Sequence, residues 1–388
     1  TWRFVQDGGA CGFMRRTLAD PILRRLLLTG LLGFFVIGAL QAAYGPALPG
    51  LSRRFDVGLD LLGQALALHF AGSFVTIATS APILARFGYR ASLLAGSSVM
   101  LAGAFIVLFA PTWPWFFAGT LLGGLGFGLV DVSLNLVVAR SFAPNAAPAL
   151  NLLNAFFGVG SVAAPAAVAL SGGSIAPAMA IVLVSGSMMM VLTWGLVEPT
   201  RPVASRAAIP WLAAAGFLVM YFVYVAGEAG VGGWLTVHLA PWIGESAAAW
   251  NASAYWASLT VGRLIATPIS ARVAPATFVV ASSLVVFLAL AATHVPTLAP
   301  FAYPLAGLAF APIFPTGLAW LQRVFPARSE AIASAVLAAA TLGPVATSGL
   351  IGWLVERGGA EVIATVMTLV GGALFTVSFT LARVTRRA

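Results

Sequence analysis

The chain has 388 residues, 60% of them apolar and only 8% charged, with a mean hydropathy of +0.99. Soluble domains carry roughly 25% charged residues, so a soluble enzyme, a disordered segment and a coiled coil are excluded. The formal charge of +9 comes from arginines scattered between apolar runs, which also excludes a nucleic-acid-binding patch.

A helix needs about 20 apolar residues to cross a bilayer core. Twelve runs come near that length: 26–48, 60–83, 91–110, 115–139, 149–170, 175–197, 209–233, 248–271, 275–293, 297–321, 330–354 and 360–382. The chain is therefore expected to be an all-α membrane protein of twelve transmembrane helices. Residues 1–25, which contain no cleavable signal pattern, are expected to form a cytoplasmic N-terminal segment. Residues 26–197 and 209–382 would form two six-helix bundles, joined by a cytoplasmic linker at 198–208 and followed by a cytoplasmic tail at 383–388. Sixteen of the 20 basic residues fall on one side of this topology. The other side holds Arg53, Arg54 and Arg357, and Arg263 lies inside a span. The positive-inside rule then puts both termini in the cytoplasm, in a bacterial inner membrane. The single cysteine, Cys11, allows no internal disulfide, and no Cys/His group has metal-ligand spacing, so neither metal nor cofactor is expected.

The two halves repeat. Span 2 ends Ala81-Pro82-Ile83-Leu84-Ala85-Arg86, and span 8 ends Thr267-Pro268-Ile269-Ser270-Ala271-Arg272. Span 4 carries Gly124-Leu125-Gly126-Phe127-Gly128, and span 10 carries Gly307-Leu308-Ala309-Phe310-Ala311. Phe34-Phe35-Val36-Ile37 precedes Gln41 in span 1, as Tyr221-Phe222-Val223-Tyr224 precedes Glu228 in span 7. A duplication of this kind is a transporter architecture, with the substrate path between halves near the membrane midplane.

The stretch from Ala81 to Arg90 resembles the loop motif of the major facilitator superfamily. Arg86, Gly88 and Arg90 fit its pattern, while Ala81 and Ala85 stand in place of its Gly and Asp. A finer resemblance is to the fucose permease and glucose/mannose-symporter-like branch. It is carried by Gly128-Leu129-Val130-Asp131-Val132-Ser133-Leu134-Asn135, by Asn151 to Gly160 with Pro165, by Tyr224 to Glu228 with Gly232-Gly233-Trp234, by Tyr255-Trp256 with Gly262-Arg263, and by Ala311-Pro312-Ile313-Phe314-Pro315-Thr316. The resemblance implies the major facilitator fold, two pseudo-symmetric six-helix bundles. It also implies sugar or polyol contacts at Asn151 and Asn154, the latter standing where relatives often have His, with helix–helix hydrogen bonding as the alternative for both, and gating roles for Arg86 and Arg90.

Four ionisable residues lie deep within spans: His69, Asp131, Glu228 and Arg263. A charge at a helix centre costs about 2.5–3.5 kcal/mol on insertion scales, so such residues are functional candidates. Asp131 shares a helix face with Asn135 one turn on. It is expected to couple protons or touch substrate; the alternative is a structural hydrogen bond to a helix terminus or to Arg140. Glu228 repeats Gln41, so the two are expected to face each other across the cavity, and Gly230, Gly232 and Gly233 are expected to loosen span 7 there. Arg263 cannot lose its proton and needs a carboxylate, with Glu228 the first candidate and Asp131 the second. That pair reads either as a switch or as a permanent clamp. His69 reads mainly as a packing residue, with a proton relay as the alternative. Phe156, Phe157, Phe314, Tyr224, Trp234, Tyr255 and Trp256 lie near the expected site, where each reads first as packing and otherwise as a ring for the apolar face of a sugar; Phe157, Tyr224 and Trp256 are taken as substrate contacts. Gly119, Gly123, Gly124 and Gly128 signal close helix approach.

No phosphate loop and no nucleophile–base constellation is visible, so no catalytic residue is expected. The expected function is secondary transport of a small polar solute, sugar-like by the resemblance, in proton symport through Asp131 and Glu228. Substrate would bind among Gln41, Asn135, Asn151, Asn154 and Glu228. Sodium is the alternative coupling ion, and a monomer in the lipid bilayer is the expected working unit. The alternatives are a proton-coupled exporter of drugs or metabolites, and a carrier of an organic anion or siderophore-like cargo held by Arg263.

Overall fold

The computed structural model describes residues 17–143, 146–197, 211–270, 272–326 and 329–385. The linker expected at 198–208 lies outside them, as does most of the N-terminal segment. The elements are α1 (Pro21–Phe55), α2 (Leu59–Ala78), α3 (Ser80–Phe109), α4 (Trp113–Ser141), α5 (Ala147–Leu170), α6 (Ala176–Trp194), α7 (Trp211–Ile243), α8 (Glu245–Ser270), α9 (Pro275–Ala292), α10 (Ala299–Phe310), α11 (Ile313–Val324), α12 (Ser329–Gly358) and α13 (Val362–Thr385). With α10 and α11 taken as one crossing, there are twelve. Among the described residues, eleven segments are long and apolar enough to span a membrane unaided. The exception is α8, whose 26 residues include Glu245, Asn251 and Arg263; it packs between α5, α7 and α10.

Local chemistry moves several boundaries. α1 begins ahead of residue 26 because the Asp20 carboxylate accepts from the amides of Ile22 (2.8 Å) and Leu23 (3.3 Å), with Pro21 in the first turn. Its 35 residues make a rod of about 52 Å, longer than the ~30 Å hydrocarbon core, so its ends stand outside the core. The connection expected over 84–90 is not a loop. α3 starts at Ser80 and carries Arg86 and Arg90 through a single break at Gly88 (φ 80°, ψ 176°), a conformation that glycine adopts without steric cost. Pro82 is tolerated there because first-turn amides have no partner inside the helix. The tenth crossing breaks between Phe310 and Ile313, where Pro312 lacks an N–H and its ring crowds the preceding turn. The expected loosening at Gly230, Gly232 and Gly233 does not occur, since α7 is helical from Trp211 to Ile243. Those glycines serve close approach instead: a side chain on Gly232 would strike the Trp256 ring.

The helices form two bundles with matching contacts. In the first, α1 packs on α5, α2 on α4, and α3 on α4 and α6; in the second, α7 packs on α12, α8 on α10, and α9 on α10 and α13. Lipid cannot drive helices together as water does, so small residues that admit close backbone contact matter most. Gly124 and Gly128 of α4 lie against the backbone of α2 at His69 and Ser73, and Gly119 lies against Gly103 of α3. The bundles meet through α1–α7, α2–α12 and α5–α8. The latter two pairs exchange under the repeat.

The arginines mark the two ends. Arg25 Nε donates to Leu192 O at the end of α6 (2.9 Å), Arg90 lies over the Trp194 ring (5.8 Å) and Arg140 over Tyr89 (5.7 Å). At the opposite, arginine-poor end, Arg54 donates to Ala110 O (2.8 Å).

Candidate functional site

The halves touch from mid-membrane to the arginine-poor end. Gly45 of α1 crosses Gly232 of α7 backbone to backbone, and Gly63 of α2 lies against Ser348 and Gly352 of α12. On α5, Val162 O accepts from Ser253 Oγ of α8 (2.8 Å), and Ala169 O accepts from Ser246 Oγ (3.1 Å). Gly158 of α5 meets Thr260 of α8, and the Phe157 and Trp256 rings stand edge to face at 6.5 Å. Asn151 and Asn154 continue the Val162–Gly158 stripe of α5 toward the arginine-rich end, and there both are exposed. A stripe in contact at one end and exposed at the other describes a cleft opening at the arginine-rich end.

Gln41 and Glu228 each lie one turn from the Gly45–Gly232 crossing, on its arginine-rich side. Glu228 is buried at 8% exposure, and its Oε1 lies 3.4 Å from Arg263 Nη2 of α8, a single-contact ion pair. Tyr255 donates its hydroxyl to the Glu228 carbonyl (2.8 Å), and the Tyr224 phenol lies beside the carboxylate. Tyr224 packs on Phe310 and Phe314, and Tyr221 donates to Phe314 O (2.7 Å), tying α7 to the break between α10 and α11.

In the other half, Asn135 Nδ2 donates to Asp131 Oδ1 (2.9 Å) and both residues are half-buried. The alternative partner weighed for Asp131, Arg140, lies over Tyr89 instead. Asn154 Nδ2 donates to Leu150 O of its own helix (2.9 Å). Arg86 lies over the Phe87 ring (5.3 Å) at the arginine-rich end, away from these groups. His69 is buried against the rings of Tyr44, Phe70 and Phe127. Among the described residues, no group of three or more His, Cys, Asp or Glu is arranged to hold a metal.

Sequence reasoning missed a second set of charges, at the arginine-poor end. Arg53, in the last turn of α1, pairs with Glu245 at the start of α8; the Nη2–Oε2 contact is 2.7 Å. Glu356 of α12 accepts from the amide of Leu59 in α2 (2.8 Å). The only available signal was the scarcity of charge on that side. Hydrogen bonding from Arg53 holds the Glu245 carboxyl below its ordinary range. A depressed acid stabilises the closed end above its unfolded pKa of about 4.3 and loses that contribution as pH falls through the folded value. Glu245→Gln should therefore lower the thermal midpoint at pH 7, with the difference from wild type vanishing on acidification below about pH 4. An equal difference at both pH values would contradict the pairing.

Residues 30–218 match the Major Facilitator Superfamily. The glucose/mannose transporter GlcP of Bacillus subtilis (strain 168) is 21% identical over 376 residues, covering 87% of this chain and 89% of that protein. Other curated relatives match over about a quarter of their own length. Among solved structures, a D-xylose-proton symporter superposes with a TM-score of 0.76 at 15% identity, over 93% of this chain and 97% of that one. A variant of the E. coli fucose:proton symporter FucP gives 0.65 at 15% identity, over 93% and 98%. The first half of the chain thus matches the Major Facilitator Superfamily, the whole chain shares the fold of these solved transporters, and its relatives and fold neighbours are transporters rather than enzymes.

Proposed function

We propose that the chain moves a small polar, sugar-like solute across the bacterial inner membrane by alternating access, in symport with protons. The arginine-rich end is taken as cytoplasmic by the positive-inside rule, so both termini are cytoplasmic and the cleft faces inward. The observation that carries the reading is that each half holds a partnered ionisable group at membrane depth: Asp131 with Asn135, and Glu228 with Arg263. Packing alone does not require such costly groups. GlcP, a glucose/mannose transporter, and the xylose and fucose symporters support the sugar and proton parts of the reading.

In the proposed cycle, Asp131 is protonated from the outer side while the cleft opens there. Solute hydroxyls then engage Gln41, Asn135, Asn151, Asn154 and Glu228, with Phe157, Tyr224 and Trp256 against the apolar faces of the solute. Neutralised, the halves rock until the cleft opens inward, and proton and solute leave. Protonation of Glu228 would free Arg263, making the pair a switch. Arg86 and Arg90 would steady the inner ends of α3. The twelve crossings enclose one complete path, so the working unit is a monomer.

The test is a proteoliposome loaded with a pH-sensitive dye. External glucose, mannose, xylose or fucose should produce a pH change that follows proton entry with solute. Solute-driven proton movement in the opposite sense would replace the reading with export, and a requirement for sodium would replace the coupling ion. One observation favours a second cargo class: Arg263 is 24% exposed and held by a single 3.4 Å contact, which suits an organic anion. Uptake of an organic acid in place of sugars would select it.

A further inference from the structure

α2 begins without the cap that a helix start calls for. Four first-turn amides of any helix lack an internal partner. The N-cap of α2 is Gly58, in extended conformation (φ −68°, ψ 164°), and it has no side chain to supply an acceptor. The acceptor comes from the other half of the molecule: Glu356 Oε2, near the end of α12, takes the Leu59 amide at 2.8 Å. The arrangement depends on Gly58 being glycine, since a Cβ there would lie 2.8 Å from Glu356 Oε2 and 2.7 Å from Asp60 Oδ1. Beneath it, Gly352 lies against Leu59 O and Gly63 against Ser348 O, so the two helices are in backbone contact up to the cap.

The repeat places a second tie of similar kind on the opposite flank. α8 begins with Glu245, which pairs with Arg53 of the first half, while Ser246 donates to Ala169 O of α5. Each tie thus sets one carboxylate near the start or end of a cavity-flanking helix, and each carboxylate finds its partner in the other half.

We infer that Glu356 caps α2 in trans and, together with the Arg53–Glu245 pair, forms a two-point clasp that must release before this chain opens at its arginine-poor end. The inference rests on the alternating-access reading. A cap drawn from the opposite half ties the integrity of the α2 start to closure. On opening, the Leu59 amide and the Glu356 carboxylate must each exchange the other for water. Both contacts are exposed, so burial sets neither apart, and the Arg53–Glu245 ion pair is the more salt-sensitive of the two.

The experiment separates a clasp from a merely local cap. Spin labels at Thr112→Cys and Thr297→Cys, both exposed at the arginine-poor end, report its opening by pulsed electron resonance in Cys11→Ser protein in nanodiscs. Glu356→Ala should raise the ratio of long to short distances about fivefold, the equivalent of the ~1 kcal/mol typical of a lost N-cap. Adding Gly58→Ser to Glu356→Ala gives α2 a cap of its own in the space the carboxylate leaves. It should restore the thermal midpoint while the long distances persist. Arg53→Gln should shift the same ratio in the same direction and serves where Glu356→Ala folds poorly. Unchanged distances in folded Glu356→Ala and Arg53→Gln protein, or short distances restored by Gly58→Ser, would overturn the clasp. A second label pair, Ala143→Cys and Gln322→Cys at the arginine-rich end, keeps the two readings apart. Shortening there as the first pair lengthens supports both. An opening at the first pair with no response at the second leaves the clasp standing and removes alternating access.

Discussion

Asp131→Asn should abolish accumulation of the transported solute while leaving exchange down its gradient measurable. Asparagine keeps the shape of the side chain and can still bond to Asn135, whose Nδ2 lies 2.9 Å from Asp131 Oδ1. The ionisable oxygen is removed, and with it any charge change at this position. An enzyme-like loss of every activity would instead indicate that Asp131 binds solute directly. The measurement compares active uptake under an imposed pH gradient with counterflow in its absence. Wild type should accumulate solute; the variant should bring inside and outside to equality and still perform counterflow. Accumulation surviving in Asp131→Asn would remove the residue from coupling and leave Glu228 as the remaining membrane-depth carboxylate.

Arg263→Met should be the most damaging single change to the fold among the candidate residues. It strands the Glu228 carboxylate, which is 8% exposed, without its cation. Breaking a buried ion pair by removing one partner costs about 3–5 kcal/mol, lessened here by the partial exposure of Arg263 to the cleft. The companion variant Glu228→Gln/Arg263→Met removes both charges, so its thermal midpoint should return most of the way to wild type, because replacing a buried pair by neutral groups is often close to neutral. Transport should not return. Stability recovered with transport lost identifies the pair as part of the working site. Recovery of both would reduce it to a clamp between α7 and α8.

The crossings and the sidedness of the arginines were legible in the sequence because both depend on run length and local composition. The charged depths at Asp131, Glu228 and Arg263 were legible for the same reason: a charge in an apolar run stands out. Other features required tertiary information. Pro82 and Pro312 look alike in the sequence, yet one sits harmlessly in the first turn of α3 while the other splits the tenth crossing. The glycines of α7 suggested slack but serve contact, because the same missing side chain permits either, and the Trp256 ring decides which. Arg53 and Glu245 are 192 residues apart, and nothing local to either one names the other. The trans cap at Gly58 was hidden more deeply still, since its only trace in the sequence is a glycine where a serine or aspartate would be ordinary.

In the proposed alternating-access cycle, the backbone crossing of Gly45 on Gly232 would act as an off-centre fulcrum. Treated as a rigid rod, α1 extends about 15 Å from it to Phe55 and about 36 Å to Pro21, at 1.5 Å per residue. The lever arms differ by more than twofold, so a modest parting of the short arm sweeps the long one through a much wider arc. A molecule geared this way needs only a narrow mouth on one side to produce a broad vestibule on the other.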